Sequence, residues 1–106
     1  MLRPNKNARL PRQCDFAKTF LKDWDRLSRS GRHNMAQLKE AMMLLIAGDA
    51  PLAPQWKDHA LKGDWSGTRE CHIGGDFLLI YQLDEAVGPS GMVVFVTAGT
   101  HSELFR

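Results

Sequence analysis

The segment WSGTRECHIGGDFLLIYQL, residues 65–83, carries the clearest structural signal of the chain. Its hydrophobicity has a period of two, and its second half is rich in leucine, isoleucine and aromatic residues, which is typical of β-strands. Gly74-Gly75-Asp76 divides the segment and favours a tight turn. We therefore predict a β-hairpin with strands over residues 65–73 and 77–83.

Further elements are predicted on both sides of the hairpin. A valine-rich strand over residues 92–98 follows a turn at 84–91 that contains Gly-Pro-Ser-Gly. Near the N-terminus, residues 8–13 predict a short strand. Pro11 confines this strand to a sheet edge or a strand end, because proline has no backbone N–H. The stretch 50–63, which contains two prolines, is predicted to be irregular.

Two amphipathic helices are predicted before the hairpin. The pattern of the first begins at Asp15 and ends at residues 28–31; its apolar stripe is Phe16, Phe20, Leu21, Trp24 and Leu27. The second has Asn34 as N-cap and Gly48 as C-cap. The order β-α-α-β-β-β predicts an α+β fold in which an antiparallel sheet of about four strands is covered on one face by an N-terminal two-helix hairpin.

Length and composition predict one domain over residues 1–106, with residues 1–6 flexible. The longest apolar run, residues 41–47, has seven residues, whereas a membrane-spanning helix needs about twenty. No apolar segment of a secretory signal follows the N-terminus, so we expect a cytoplasmic protein without a membrane partner. Cys14 and Cys71 lack metal-ligand spacing and are interpreted as small buried hydrophobic residues.

Charge is distributed unevenly along the chain. Residues 1–40 carry ten basic and four acidic side chains, a net charge of +6, whereas the remaining 66 residues carry a net charge of −4. A basic half of this kind suits a phosphate backbone or an acidic protein partner. A solvated helix face is the commoner cause of such a bias.

Five residues form a candidate site for proton transfer: His59, Glu70, His72, Asp76 and His101. Strand alternation places Glu70 and His72 on one face. Imidazoles and carboxylates transfer protons near neutral pH, and RNA cleavage by a 2′-hydroxyl needs such an acid and base without any metal or cofactor. Taken singly, each residue also has a plainer structural explanation. The histidine spacings match no zinc motif, and nucleotide-binding, α/β-hydrolase and zincin motifs are absent from the sequence.

Three motifs resemble those of one bacterial toxin family. Residues 58–63 match D-H-x-L-x-G, residues 69–73 match R-E-x-H-I, and residues 99–105 match G-T-H-x-x-L-F. In combination these motifs closely resemble the YafQ toxins of the RelE/ParE superfamily. The likeness is strong over residues 56–83 and 99–105, while the helical region agrees in pattern more than in sequence.

The resemblance implies a RelE-like fold and a ribosome-dependent mRNA endonuclease that cleaves mRNA in the ribosomal A site and is held inactive by a cognate antitoxin. The chain would be monomeric alone and hetero-oligomeric with its antitoxin. The implied catalytic residues are His59, His72, Asp76 and His101. Of these, His101 would be the general acid and Asp76 the base, with His59 and His72 at the scissile phosphate. Phe105 would position the mRNA, and Glu70 fills an acidic position of the family.

The resemblance also implies RNA contacts by a basic face, for which we select Lys18, Lys22, Arg26 and Lys57. Two departures from the family pattern concern the site. Thr97 occupies a region where an arginine is common, so the missing positive charge would come from Arg69 or Arg106. Gly74-Gly75 replaces a pair that often includes proline, which predicts a looser turn.

Two other functions remain open at this point. A ParE-like toxin would share the fold and act by binding a protein target such as gyrase, without need of the three histidines. An inactive module that binds antitoxin or RNA is the second alternative, which Thr97 in place of arginine makes possible.

Overall fold

A computed structural model describes residues 10–105 of the chain. In chain order its elements are β1 (Gln13–Phe16), α1 (Lys18–Ser30), α2 (Met35–Ala47), β2 (His59–Ala60), β3 (Arg69–Gly74), β4 (Phe77–Asp84), β5 (Met92–Thr100) and α3 (His101–Leu104), with two 3-10 turns at Pro54–Trp56 and Gly63–Trp65. The expectations for residues 1–6, for Arg106 and for the start of the N-terminal strand lie outside the described residues. No helix within this part of the chain is long and apolar enough to cross a membrane.

The five strands form one sheet in the order β1-β5-β4-β3-β2. The predicted hairpin is present as β3 and β4, and the α+β class is confirmed. The sheet is mixed, however, and has one strand more than predicted, because β1 pairs with β5 in parallel while the other neighbours are antiparallel. A parallel pair needs a long crossover, which the helices and the intervening strands supply.

Two predicted strand boundaries were wrong. β1 begins at Gln13, after Pro11, and the N–H of Arg12 donates to the carbonyl of Ile46 at 2.6 Å instead of to a strand. β3 begins at Arg69, because residues 65–68 form a turn in which Thr68 donates to the carbonyl of Trp65. The stretch predicted to be irregular contains β2, which pairs His59 with Glu70.

The predicted helix ends are confirmed, except the start of α1. Asn34 accepts a hydrogen bond from the N–H of Gln37, and Gly48 ends α2 in the left-handed region at φ 113°. α1 begins at Lys18 because Phe16 belongs to β1. Leu21, assigned to the apolar stripe, is 54% exposed.

The core lies between the two long helices and the sheet, and its members are mostly the predicted apolar residues. Its larger side chains are Phe20, Leu27, Leu38, Leu45, Trp56, Ile73, Phe77, Leu79, Tyr81 and Phe95. The interpretation of both cysteines as buried was wrong for Cys14, which is exposed on the edge strand β1, and right for Cys71. The sheet edge leaves the side chain of Cys14 without cover, whereas Cys71 lies in the central part of the sheet.

Candidate active site

Two histidines flank a buried carboxylate on strands β2 and β3. The pairing of these strands places His59 opposite Glu70, and His72 follows two residues later on the same face. The Nε2 atoms of His59 and His72 lie 3.5 and 3.6 Å from the two carboxylate oxygens of Glu70. The side chain of Glu70 is only 4% exposed, whereas that of His59 is 52% exposed. In this cluster the two imidazoles are partly or largely exposed to solvent, and the carboxyl group between them is buried.

The tautomer of His59 follows from its second contact. Its Nδ1 lies 2.8 Å from the carbonyl oxygen of Lys57, which can only accept, so Nδ1 carries a proton. The other ring nitrogen, Nε2, faces Glu70. Within residues 10–105, Oε1 of Glu70 makes no hydrogen bond. Because a buried carboxylate needs compensation, the neighbouring imidazoles are the groups available to provide it.

A second pair joins the turn after β3 to the end of β5. The backbone N–H of His101 donates to Oδ1 of Asp76 at 3.1 Å, and Nδ1 of His101 lies 3.9 Å from the same oxygen. Both side chains are about 60% exposed, at 59% and 62%. An acid and a base are thus held side by side at the surface.

The register of the sheet fixes the order of the two groups along the strands. Phe77, which follows Asp76, pairs with Thr100, which precedes His101, so this pair lies at one end of β4 and β5. His72 pairs with Leu78, one residue further along β4, and Glu70 pairs with Ile80 near the middle of that strand. The five residues selected from the sequence therefore form two separate contact groups, with His72 the nearer member of the first group to the Asp76–His101 end.

Aromatic rings adjoin the second pair. The ring of Phe105 lies 5.0 Å from that of His101 and 5.6 Å, edge to face, from that of Trp65. Trp65 was assigned to a strand and not to the site. Its place in the 3-10 turn Gly63–Trp65 instead allows it to cover Phe105.

Arg69 belongs to a network that the sequence did not reveal. Its Nε donates to Asp58 at 3.0 Å, and the hydroxyl of Tyr81 donates to the same carboxylate at 2.5 Å, as does the N–H of Leu52 at 2.8 Å. Burial and the contact with Asp58 raise the pKa of Tyr81. Burial acts to lower the pKa of Arg69, but the hydrogen bond with Tyr81 and the charge of Asp58 raise it overall. The charge of Arg69 is thus compensated internally.

The four residues selected for RNA contact are not equivalent. Lys18 and Lys22 are exposed on α1, and Lys57 is exposed after the 3-10 turn Pro54–Trp56. Arg26 differs, since it pairs with Glu103 at 2.6 Å and with Asp23 at 3.3 Å.

Thr97 is buried and donates a hydrogen bond to Asp23, which also accepts from the N–H of Ala98. A Cβ built on Gly99 would lie 3.5 Å from Nη2 of Arg26. A positive charge therefore adjoins the Gly-Thr-His turn, although it comes from α1 and not from position 97.

The described residues contain no group of three or more histidine, cysteine, aspartate or glutamate side chains able to hold a metal ion. Burial, together with the charges of Asp58 and Glu70, raises the pKa of Cys71, so its thiol stays protonated. The imidazole and carboxylate groups of the two contact groups are able to transfer protons near neutral pH.

Residues 12–106 match the model of a protein family described as the bacterial toxin of type II toxin-antitoxin systems, YafQ. The mRNA interferase toxin YafQ of Escherichia coli strain K12 is 34% identical over 96 residues, which are 91% of this chain and 98% of that protein. The crystal structure of YafQ from E. coli strain BL21(DE3) matches with a TM-score of 0.78 at 34% identity, covering 90% of this chain and 99% of that one. A chain in the crystal structure of the E. coli DinJ-YafQ complex matches with a TM-score of 0.76 at 35% identity, over 90% and 99% of the two chains.

Proposed function

The chain belongs to the YafQ family of toxins from bacterial type II toxin-antitoxin systems, and we propose that it is a ribosome-dependent mRNA endonuclease that inhibits translation. The observation that carries the proposal is the pairing of Asp76 with His101 beside the His59–Glu70–His72 cluster. A toxin that acts only by binding a protein would not need such a set of groups.

In the proposed reaction, Asp76 takes the proton of a ribose 2′-hydroxyl, and the oxygen attacks the adjacent phosphorus. His101 gives a proton to the departing 5′-oxygen, which leaves a 2′,3′-cyclic phosphate and a 5′-hydroxyl. His59 and His72 contact the non-bridging phosphate oxygens, and Phe105 stacks on a base of the mRNA. The reaction needs no metal ion or cofactor.

We propose that the ribosome and the mRNA are contacted by Lys18, Lys22 and Lys57, whose side chains are exposed. Contacts with phosphates release counterions, so binding to the ribosome should weaken as salt concentration rises. Removing Lys18 and Lys22 together should reduce the steepness of this salt dependence.

We also propose that a cognate antitoxin binds the toxin in the cytoplasm, as a relative occurs in the DinJ-YafQ complex. An apolar groove lies on α1, with a volume of about 230 Å³, and it is lined by Phe16, Phe20, Leu21, Trp24 and Met42. The Nζ of Lys39 lies 5.7 Å from the centre of the Trp24 ring, and α1 also carries the exposed Lys18 and Lys22. Apolar surface next to basic side chains suits an acidic, amphipathic antitoxin segment.

The experiment that tests the function is primer-extension mapping of a reporter mRNA after brief induction of the toxin. Wild type should cleave the reporter within the coding frame, and cleavage should vanish with His101→Ala and with a start-codon mutant of the reporter. Ser102→Ala, an exposed neighbour in α3, serves as the matched control and should cleave like wild type. Growth arrest with intact mRNA would contradict the proposal and favour a ParE-like action on a protein target.

A further inference from the structure

A polar cleft opens between α2, the 3-10 turn Pro54–Trp56 and the end of β3. Its volume is about 470 Å³, within the range of roughly 300–1,000 Å³ that is usual for ligand sites. The residues that line it are Gln37, Glu40, Gln55, Trp56, Lys57, His72, Ile73, Gly74 and Gly75. Of these residues, the sequence analysis selected only His72, as a catalytic residue, and Lys57, for RNA contact.

The cleft adjoins the His59–Glu70–His72 cluster through two contacts. His72 lines the cleft and also faces Glu70. Lys57, on the other wall, holds His59 through its carbonyl oxygen, and its backbone lies in the left-handed region at φ 49°. That conformation is unfavourable for lysine, and the hydrogen bond from its N–H to the carbonyl of Pro54 helps to maintain it. A molecule in the cleft would therefore lie next to a phosphate at the histidines.

The lining presents hydrogen-bonding groups of complementary kinds. Gln37 and Gln55 carry amides that both donate and accept, while Glu40 only accepts and Lys57 only donates. Within residues 10–105 the side chains of Glu40, Gln55 and Lys57 have no hydrogen-bond or ion-pair partner. Gly74 and Gly75 have no side chains, so the floor of the cleft is open at these positions. The nearest group is Oε1 of Gln37, 3.8 Å from where a Cβ of residue 74 would lie.

We propose that this cleft binds the base of a nucleotide that flanks the cleaved bond, and that it favours bases with an exocyclic amino group. Glu40 would accept from the amino group of adenine, cytosine or guanine, and a glutamine amide would pair with the neighbouring ring atoms. Uracil would instead direct its O4 acceptor at the carboxylate. Lys57 would contact the adjoining phosphate. This inference rests on the proposed function, whose RNA substrate it specifies.

Cleavage profiling on ribosomes programmed with a codon library tests the inference. Glu40→Gln and Gln55→Ala should reduce the preference for amino-bearing bases over uracil at one position by about 5-fold or more, because a well-placed pair contributes that much discrimination. Gln82→Ala is the matched control, since Gln82 is exposed on β4 and lies outside the cleft. Unchanged preference in both cleft variants would overturn the inference.

A binding experiment separates the failure of this inference from the failure of the proposed function. Titration of the wild-type toxin with AMP, CMP or UMP should shift the NMR signals of the Gln37 and Gln55 side-chain amides with AMP and CMP, and much less with UMP. Equal shifts for the three nucleotides, or shifts at other positions only, would overturn the inference. Wild-type protein that shows the expected shifts but cleaves no mRNA would contradict the proposed function alone.

Discussion

Arg26 of α1 forms an ion pair with Glu103 of α3, with Nη1 and Oε2 2.6 Å apart. The second oxygen of Glu103 accepts from the N–H of Thr100, and the Thr100 hydroxyl accepts from the N–H of Glu103, which together form a capping box. Asp23 holds the preceding residue pair, Thr97 and Ala98. α1 therefore supports the turn that presents His101, through a contact between residues that are 77 positions apart, Arg26 and Glu103.

Replacing Arg26 by alanine should slow mRNA cleavage about 10- to 100-fold, because a small displacement of His101 is costly to the reaction. Stability should change little, since an exposed ion pair contributes about 0–1 kcal/mol. Single-turnover cleavage on programmed ribosomes, with thermal unfolding of the same samples, measures both effects. Arg29→Ala is the control, as it removes an exposed ion pair with Asp25 on the same helix.

Glu103→Gln distinguishes positioning from direct RNA contact by Arg26. If Arg26 acts by holding α3, Glu103→Gln should slow cleavage similarly, and the double variant should be no slower than Arg26→Ala. Additive losses would contradict the positioning role and indicate that Arg26 itself contacts RNA.

Acid should loosen the turn that carries His101. The hydrogen bond from the Thr100 N–H, with the charge of Arg26 as a further cause, holds the pKa of Glu103 below its ordinary value of 4.5. A lowered pKa contributes stability that is fully present above pH 4.5 and is lost as the pH falls through the lower folded value. Hydrogen exchange of the Thr100 and Glu103 amides, corrected for intrinsic rates, should accelerate in that window. Glu103→Gln should abolish the acceleration, and Asp25→Asn should retain it.

Tyr81 should remain protonated in the folded protein above pH 10, the ordinary pKa of tyrosine. Because its folded pKa is raised, the unfolded state releases the proton first, so stability falls as the pH rises above 10. The chain has a single tyrosine, so tyrosinate absorbance reports this group alone. We expect absorbance to rise together with unfolding, and a rise while circular dichroism remains native would contradict the buried contact with Asp58.

The corresponding substitution, Tyr81→Phe, should reduce the free energy of unfolding by about 1.5–3 kcal/mol, the usual range for a hydrogen bond to a charged group. Urea unfolding at neutral pH measures it. The stability loss above pH 10 should also become smaller in this variant, because the contribution of the tyrosine hydroxyl is removed, whereas that of Cys71, whose pKa is also raised, remains.

The features that the sequence predicted correctly depend on residues close together in the chain. The caps Asn34 and Gly48 and the turn before Phe77 are local, and strand alternation alone placed Glu70 beside His72. Contacts between distant segments could not be derived from periodicity. The parallel pairing of β1 with β5, the two-residue strand β2 and the Arg26–Glu103 pair all depend on tertiary packing.

Residue chemistry, together with the resemblance, selected candidate site residues that periodicity alone does not indicate. His59, His72, Asp76 and His101 lie on four different segments of the chain, and only the sheet register shows which of them are neighbours. The surrounding contacts were not predicted. Asp58 and Tyr81 hold Arg69, and Trp65 contacts Phe105, and the sequence has no periodic signal for these contacts.

Glu70→Gln should slow cleavage by about 100-fold, the cost of a small misplacement of groups that contact the reacting phosphate. The two carboxylate oxygens face two imidazole Nε2 atoms, whereas an amide has one oxygen and would turn an NH₂ donor toward the other imidazole. One histidine would then lose its orientation. Single-turnover cleavage on programmed ribosomes measures the effect, with Asp64→Asn, an exposed residue of the 3-10 turn Gly63–Trp65, as control.

The same residues should behave as one unit. Adding His59→Ala or His72→Ala to Glu70→Gln should cost less than the product of the single effects, because the carboxylate already shares its role with both imidazoles. Fully multiplicative losses, in variants with native circular dichroism, would show that the three side chains act independently, and the cluster would then be three separate surface groups.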